Sequence, residues 1–136
     1  MVIGRDLANR MINHARQAFP NEACGLVAAL AGSIIDIFPI CNADQSPVHF
    51  TLDSQEQLRV LNEIEERHWD LAAVYHSHTR TAARPSQTDI RMANISSKFL
   101  GEMPWIIVSL AYRDQPDLRA WLIDGDQVRE AAVEIY

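Results

Sequence analysis

Leu71 to Tyr75 is a short, uninterrupted apolar run, and it leads straight into His76-Ser77-His78. Such a run belongs to a strand covered on both faces, because a strand with one wet face alternates polar and apolar residues. A central strand is therefore expected here, and the chain must also dispose of two imidazoles at its end. Alternate residues of an extended backbone point the same way, so His76 and His78 leave the strand together.

Neutral imidazole is a good zinc ligand, and a third candidate ligand follows. Ten residues separate His78 from Asp89, enough for a loop that returns a helix start to the same point. Ser86 is a natural N-cap, which puts Asp89 at the third position of the first turn. The helix dipole there favours the ionised carboxylate, the form that binds metal. Two histidines and one aspartate leave a fourth position for water, the arrangement of a catalytic zinc site. Zinc lowers the pKa of such a water to about 7. A proton acceptor is still needed, and Glu22, just before Cys24-Gly25-Leu26, stands near another strand end. Each piece also has an ordinary explanation. A His-x-His pair can be two satisfied histidines, Ser86 with Asp89 can be a plain capping box, and Glu22 can be a solvated charge. The full set in this order is much harder to explain that way.

The rest of the chain reads as alternating helices and strands. Leu7, Ala8, Met11, Ile12, Ala15 and Phe19 recur at helical spacing over Arg5 to Phe19, and Pro20-Asn21 ends that helix. Cys24 to Ala31 and Ile34 to Cys41 read as strands joined by a turn at Ala31-Gly32-Ser33. Pro39 suggests an edge strand or a bulge. Val48, Phe50 and Leu52 alternate with His49 and Thr51 as in a short half-buried strand. Asp53 and Ser54 offer N-cap chemistry for a second helix reaching about Arg67. A third helix starts near Ser86. Trp105 to Leu110, Leu118 to Ile123 and Val128 to Ile135 complete the strands, with a hairpin at Asp124-Gly125. The class is mixed α/β with one sheet.

Composition excludes several functions. The 136 residues are expected to form one domain, 1–136, large enough for a core without disulfide staples. Apolar residues at 48% and charged residues at 22% argue against disorder. A net charge of -6 and a pI near 5.2 leave no basic footprint, so no nucleic-acid partner is expected. Arg5 and Asp6 interrupt the N-terminus too early for a secretory signal. The uncharged stretch Ala23 to Ile35 is too short to span a bilayer. Two cysteines, Cys24 and Cys41, make no disulfide framework, so a reduced, cytoplasmic protein without a membrane partner is expected.

Glu22, His76-Ser77-His78, Ser86 and Asp89 together resemble the JAMM motif of the MPN-domain (Mov34/PAD-1) zinc peptidases. The resemblance covers nearly the whole chain. Asn21-Glu22-Ala23-Cys24-Gly25, Ser46-Pro47 through Leu52-Asp53-Ser54, Glu56-Gln57-Leu58 and Tyr75 through Thr79 bring it nearest to the short bacterial branch with the Mec-type peptidases. The resemblance implies the MPN/JAMM fold, a single, mostly antiparallel curved sheet flanked by about three helices. It implies one zinc per chain on His76, His78 and Asp89. Glu22 would be the general base and then the acid, and Ser86 the oxyanion donor. The implied partner is a ubiquitin-like sulfur-carrier protein ending in Gly-Gly, from which Mec-type enzymes release cysteine. The alternative is deconjugation of ubiquitin-like protein conjugates. The chain lacks a Cys/His-rich insertion after Asp89, which points away from ubiquitin itself.

Four further residues are candidates for substrate contact, each beside a plainer role. Cys24 packs in the core or lines the pocket. His49 lies on the outward alternation of its strand or touches substrate. Arg80 and Arg84 are solvated loop residues or pair with a substrate carboxylate. A non-catalytic MPN scaffold would lack part of the ligand set. A thiol hydrolase built on Cys24 leaves the His-x-His and Asp89 spacing unexplained. A deaminase would need a Pro-Cys-x-x-Cys element that is absent.

Overall fold

The computed structural model describes residues 1–136. Elements follow the order β1 (Val2–Ile3), α1 (Arg5–Ala18), β2 (Cys24–Leu30), β3 (Ser33–Ile40), α2 (Ser54–Glu66), β4 (Asp70–His78), α3 (Gln87–Leu100), β5 (Trp105–Ser109), β6 (Asp117–Asp124), β7 (Gln127–Ala131) and β8 (Glu134–Ile135). The main sheet has the order β3-β2-β4-β5-β6-β7. All neighbours are antiparallel except β4 and β5, which are parallel and joined by the crossover helix α3. The mixed sheet with three helices matches the expected class. Pro39 sits on the edge strand β3, where a missing N–H is tolerated.

Alternation along the strands assigns the two faces of the sheet. Val27, Ala73 and Tyr75 pack with Met11 and Ala15 of α1. Leu26, Val74 and Trp105 pack with Val60 and Ile64 of α2 and Ala93 of α3. His76 follows Val74 by two residues and so lies on the face that carries α2 and α3. Gly25 lets β2 pass close to its neighbours, since a Cβ there would collide with the Tyr75 ring and the Phe38 carbonyl. The Ala31-Gly32 turn between β2 and β3 takes φ of 50° and 84°, the doubly left-handed pair a two-residue hairpin needs.

Several expectations need correction. Val48, Phe50 and Leu52 do not form a strand; only an isolated bridge between Asn42 and Leu52 survives there. Val48 is 70% exposed, so the alternation has no sheet face to serve. The last run divides into β7 and β8, and β8 leaves the main sheet to pair in parallel with β1, which is too short to read from periodicity. On α1, the His14 Nδ1 lies 2.8 Å from the Tyr75 hydroxyl, and burial lowers the pKa of the ring. No helix is long and apolar enough to cross a membrane.

Candidate metal centre

The apolar run continues as a strand through both histidines. Within β4, His76 faces Ile107 and His78 faces Ser109 across the parallel ladder, and Cys24 faces His76 on the other side. Extending that antiparallel register past the end of β2 sets Glu22 opposite His78, on the same face. The loop after β4 is tied down by three bonds. His78 Nδ1–H donates to Ala82 O at 2.8 Å, Ser109 Oγ donates to Thr81 O at 2.6 Å, and Trp121 Nε1 donates to Ala83 O at 2.8 Å. The loop thereby delivers Ser86 as the N-cap of α3. Ser86 Oγ accepts from Asp89 N at 3.1 Å, and Asp89 Oδ2 accepts from Ser86 N at 2.9 Å, a reciprocal capping box.

His76, His78 and Asp89, all buried, bring one donor atom each to within 4.8 Å of one another. His78 Nε2 lies 2.9 Å from Asp89 Oδ2 and 3.2 Å from His76 Nε2. His76 Nε2 lies 3.2 Å from Asp89 Oδ1. With Nδ1 of His78 committed as a donor, its neutral ring presents a lone pair at Nε2. Two imidazole nitrogens and a carboxylate this close repel unless a proton or a cation sits among them, so the donor set fits a divalent metal ion.

Electrostatics agree with that reading. Burial pushes the Asp89 carboxyl up, but hydrogen bonds to His76 and His78 overcome it and hold the group well below the usual carboxylate range. Burial lowers the pKa of His76. In His78 burial acts the same way but is outweighed by Asp89 and the Ala82 carbonyl, so its pKa is raised. The His76 ring is stacked on Phe50 with centroids 4.6 Å apart, and its Nδ1 has no partner. Glu22 is 3% exposed and its Oε1 is buried without a hydrogen bond. Its carboxyl is pushed up to about 8, first by burial; His78 opposes the shift and Asp89 adds to it.

A cleft of about 380 Å³ reaches the cluster at His78 and is lined by Glu22 and Ser86 together with Pro47, Val48, Thr79 and Arg80. A larger cleft of about 480 Å³ beside Met103 and Leu122 has no cluster of ligating side chains. Of the residues considered for substrate contact, only Arg80 lines the central cleft. Cys24 is fully buried, its thiol donating to Ile40 O at 3.4 Å and pushed up to about 12 chiefly by burial, so it is a core residue. That also removes the thiol-nucleophile reading. His49 is exposed but turned to Asp44, 2.9 Å away. Arg84 lies over the Trp121 ring, 5.4 Å from its centroid. Sequence reasoning overlooked Thr79, whose hydroxyl donates to Pro47 O at 3.0 Å, and Asn42, whose side chain reaches the backbone of Glu22. An Asn directly after a strand and ahead of Asp44 and Ser46-Pro47 is the available signal, since such residues organise turns.

The sequence profile of the prokaryotic homologs of the JAB domain matches residues 4–124. A Mycobacterium tuberculosis protein named CysO-cysteine peptidase is 36% identical over 137 residues, covering 99% of this chain and 90% of that protein. A desampylase of Pyrococcus furiosus is 26% identical over 115 residues, covering 84% of this chain and 76% of that one. The solution structure of a Desulfitobacterium hafniense protein is similar with a TM-score of 0.86 at 35% identity, covering 100% and 93% of the two chains.

Proposed function

The chain belongs to the family of prokaryotic homologs of the JAB domain and is a JAMM-type hydrolase, and from that premise we propose that it cleaves the bond after the C-terminal Gly-Gly of a ubiquitin-like sulfur-carrier protein and releases cysteine. The observation that carries this reading is the buried convergence of His76, His78 and Asp89 beside Glu22, whose Oε1 is unpaired. We assign those three side chains to one zinc ion per chain, since two imidazoles and a carboxylate suit that metal. Bound there, zinc would supply Lewis acidity and lower the pKa of a water.

The protein's own groups do the rest. Glu22 takes a proton as water adds to the glycine carbonyl and delivers it to the departing amine, so a C–N bond is exchanged for a carboxylate and a free amino group. Burial of the Glu22 side chain raises its carboxyl above the ordinary value and so favours the protonated form that hands a proton to the amine. The Ser86 hydroxyl accepts from Asp89 N and donates to no protein group, which leaves its hydrogen for the oxyanion. Pro47-Val48 and Thr79-Arg80 both line the cleft, and we assign it to an extended tail. Glycines without Cβ atoms bring the scissile carbonyl down to Ser86 and His78. Arg80 pairs with the free carboxylate of the departing amino acid.

The name of the mycobacterial relative supports cysteine as the released group. The archaeal relative, a desampylase, supports a second reading, hydrolysis of lysine-linked conjugates of a ubiquitin-like protein. The test offers the zinc-loaded enzyme three substrates: a Gly-Gly carrier bearing C-terminal cysteine, the same carrier ending in Ala-Ala-Cys, and an isopeptide-linked Gly-Gly conjugate. Cleavage of the first and not the second is expected. Equal cleavage of the Ala-Ala version would overturn the tail reading, and cleavage of the isopeptide conjugate alone would establish the second.

A further inference from the structure

The segment from Cys41 to Asp53 joins β3 to α2 with almost no regular structure. Its backbone polar groups must still be satisfied, and one side chain does much of this. Asn42, buried at 8% exposure, uses its whole carboxamide. Nδ2 donates to His49 O and to Glu22 O, each at 3.1 Å. Oδ1 accepts from Asp44 N at 3.0 Å and from Thr51 N at 3.1 Å. An amide can make four hydrogen bonds, and here all four are made, so the group has a single orientation.

Three of those bonds stay within the loop and draw its two ends together, while the fourth leaves it for Glu22. That residue lies before the first ladder position of β2, so the sheet does not hold its backbone. Its N–H donates to Ser46 O at 2.8 Å, and its C=O accepts from Asn42 Nδ2. Both backbone groups of Glu22 are therefore held by the 41–53 loop. Its carboxyl has a buried oxygen with no partner, so nothing at that atom fixes the side chain. The place of the carboxyl is inherited from the backbone below it.

We propose that Asn42 is a positioning residue for Glu22: its carboxamide locks the 41–53 loop to the Glu22 carbonyl and so sets where the proton-transferring carboxyl stands above the His76, His78 and Asp89 cluster. This rests on the reading of Glu22 as the base. Misplacement by about 1 Å costs a reaction as much as 10²-fold even when every reacting group is present.

Two variants separate positioning from folding. Asn42→Asp keeps the shape and the Oδ1 acceptor, and with it the bonds from Asp44 N and Thr51 N. It replaces the donor facing Glu22 O and His49 O with a second acceptor. Asn42→Ala removes all four bonds, and if it does not fold, Asn42→Asp decides. With the Gly-Gly carrier bearing C-terminal cysteine, and rates normalised to bound zinc, kcat of Asn42→Asp should fall about 10- to 100-fold, with KM little changed. In a Glu22→Gln background the same substitution should cost little further. Without metal or substrate, hydrogen exchange should show the Glu22 amide losing protection while the amides of β4 keep theirs. Unchanged kcat in Asn42→Asp alongside an impaired Glu22→Gln would overturn the proposal. So would an equal loss in both backgrounds, the mark of a merely structural residue. If Glu22→Gln turns over like the wild type, the base reading itself fails, and the route through Asn42 falls with it.

Discussion

The carboxyl of Glu22 has an oxygen shut away from solvent and bonded to nothing. Burial makes its ionised form costly, so its pKa rises from 4.5 to about 8. The sign of the linkage follows. A carboxyl with a raised folded-state pKa binds its proton more tightly in the fold than in the unfolded chain. Its contribution to stability is complete below about pH 4.5 and is lost as the pH climbs through about 8. Each tenfold gain in proton affinity is worth about 1.4 kcal/mol, so the loss amounts to a few kcal/mol. Glu22→Gln removes the ionisation and nearly keeps the shape. In urea unfolding of the metal-free protein, variant and wild type should have similar stability near pH 4.5, and the variant should become the more stable by pH 9. A difference that does not change with pH would show that Glu22 ionises freely. If Glu22 is the base, as proposed, the same substitution in the zinc-loaded protein should lower kcat by about 10²–10⁴-fold while zinc stays bound.

Ser86 joins two roles at the start of α3, and the element, rather than the residue, shows how to separate them. As N-cap it accepts from Asp89 N, and as a wall of the cleft it offers a hydroxyl hydrogen. Ser86→Ala should cost roughly 1 kcal/mol of stability, whereas glycine is tolerated at an N-cap for a few tenths. If Ser86 is the oxyanion donor, as proposed, both substitutions remove it and both should cost about 10²–10³-fold in kcat. Paired urea melts and turnover measurements check this, and an active Ser86→Gly would assign the hydroxyl to the cap alone. This strand–loop–helix stretch is also where the sequence is most legible. His76, His78, Ser86 and Asp89 lie in one continuous segment, and local rules of alternation and capping place each of them. The 41–53 loop obeys no such rule. Val48, Phe50 and Leu52 alternate like a strand, yet Phe50 is buried because it stacks on His76 and Val48 is exposed at the cleft. Asn42 escapes notice because its partner Glu22 is 20 positions earlier and no periodicity encodes that bond. The β1–β8 pair is hidden for a related reason, since each strand is two residues long and acquires its meaning only from the other.

At the scale of the whole molecule, the cluster of His76, His78 and Asp89 ties β4 of the sheet to the first turn of the crossover helix α3. In the unfolded chain the His-x-His pair remains, but Asp89 is no longer held beside it, so affinity for a metal ion falls. Binding to the folded state alone raises stability by mass action, about 2.7 kcal/mol at a free zinc concentration 100 times Kd. For a domain of this size each kcal/mol moves Tm by roughly 3–5 °C, so a rise on the order of 10 °C is expected between chelated and zinc-saturated protein. His78→Ala should abolish the shift, because it removes a donor from the centre of the cluster, between Asp89 Oδ2 and His76 Nε2. Ser86→Gly and Glu22→Gln leave the three donors in place, so they should keep most of the shift while losing turnover. Calorimetry of the four proteins, with zinc and with a chelator, therefore separates the residues that hold the ion from those that use it. Equal melting temperatures for the wild type under both conditions would mean that the buried cluster is held by protons alone. A shift retained in His78→Ala would place the ion elsewhere on the chain.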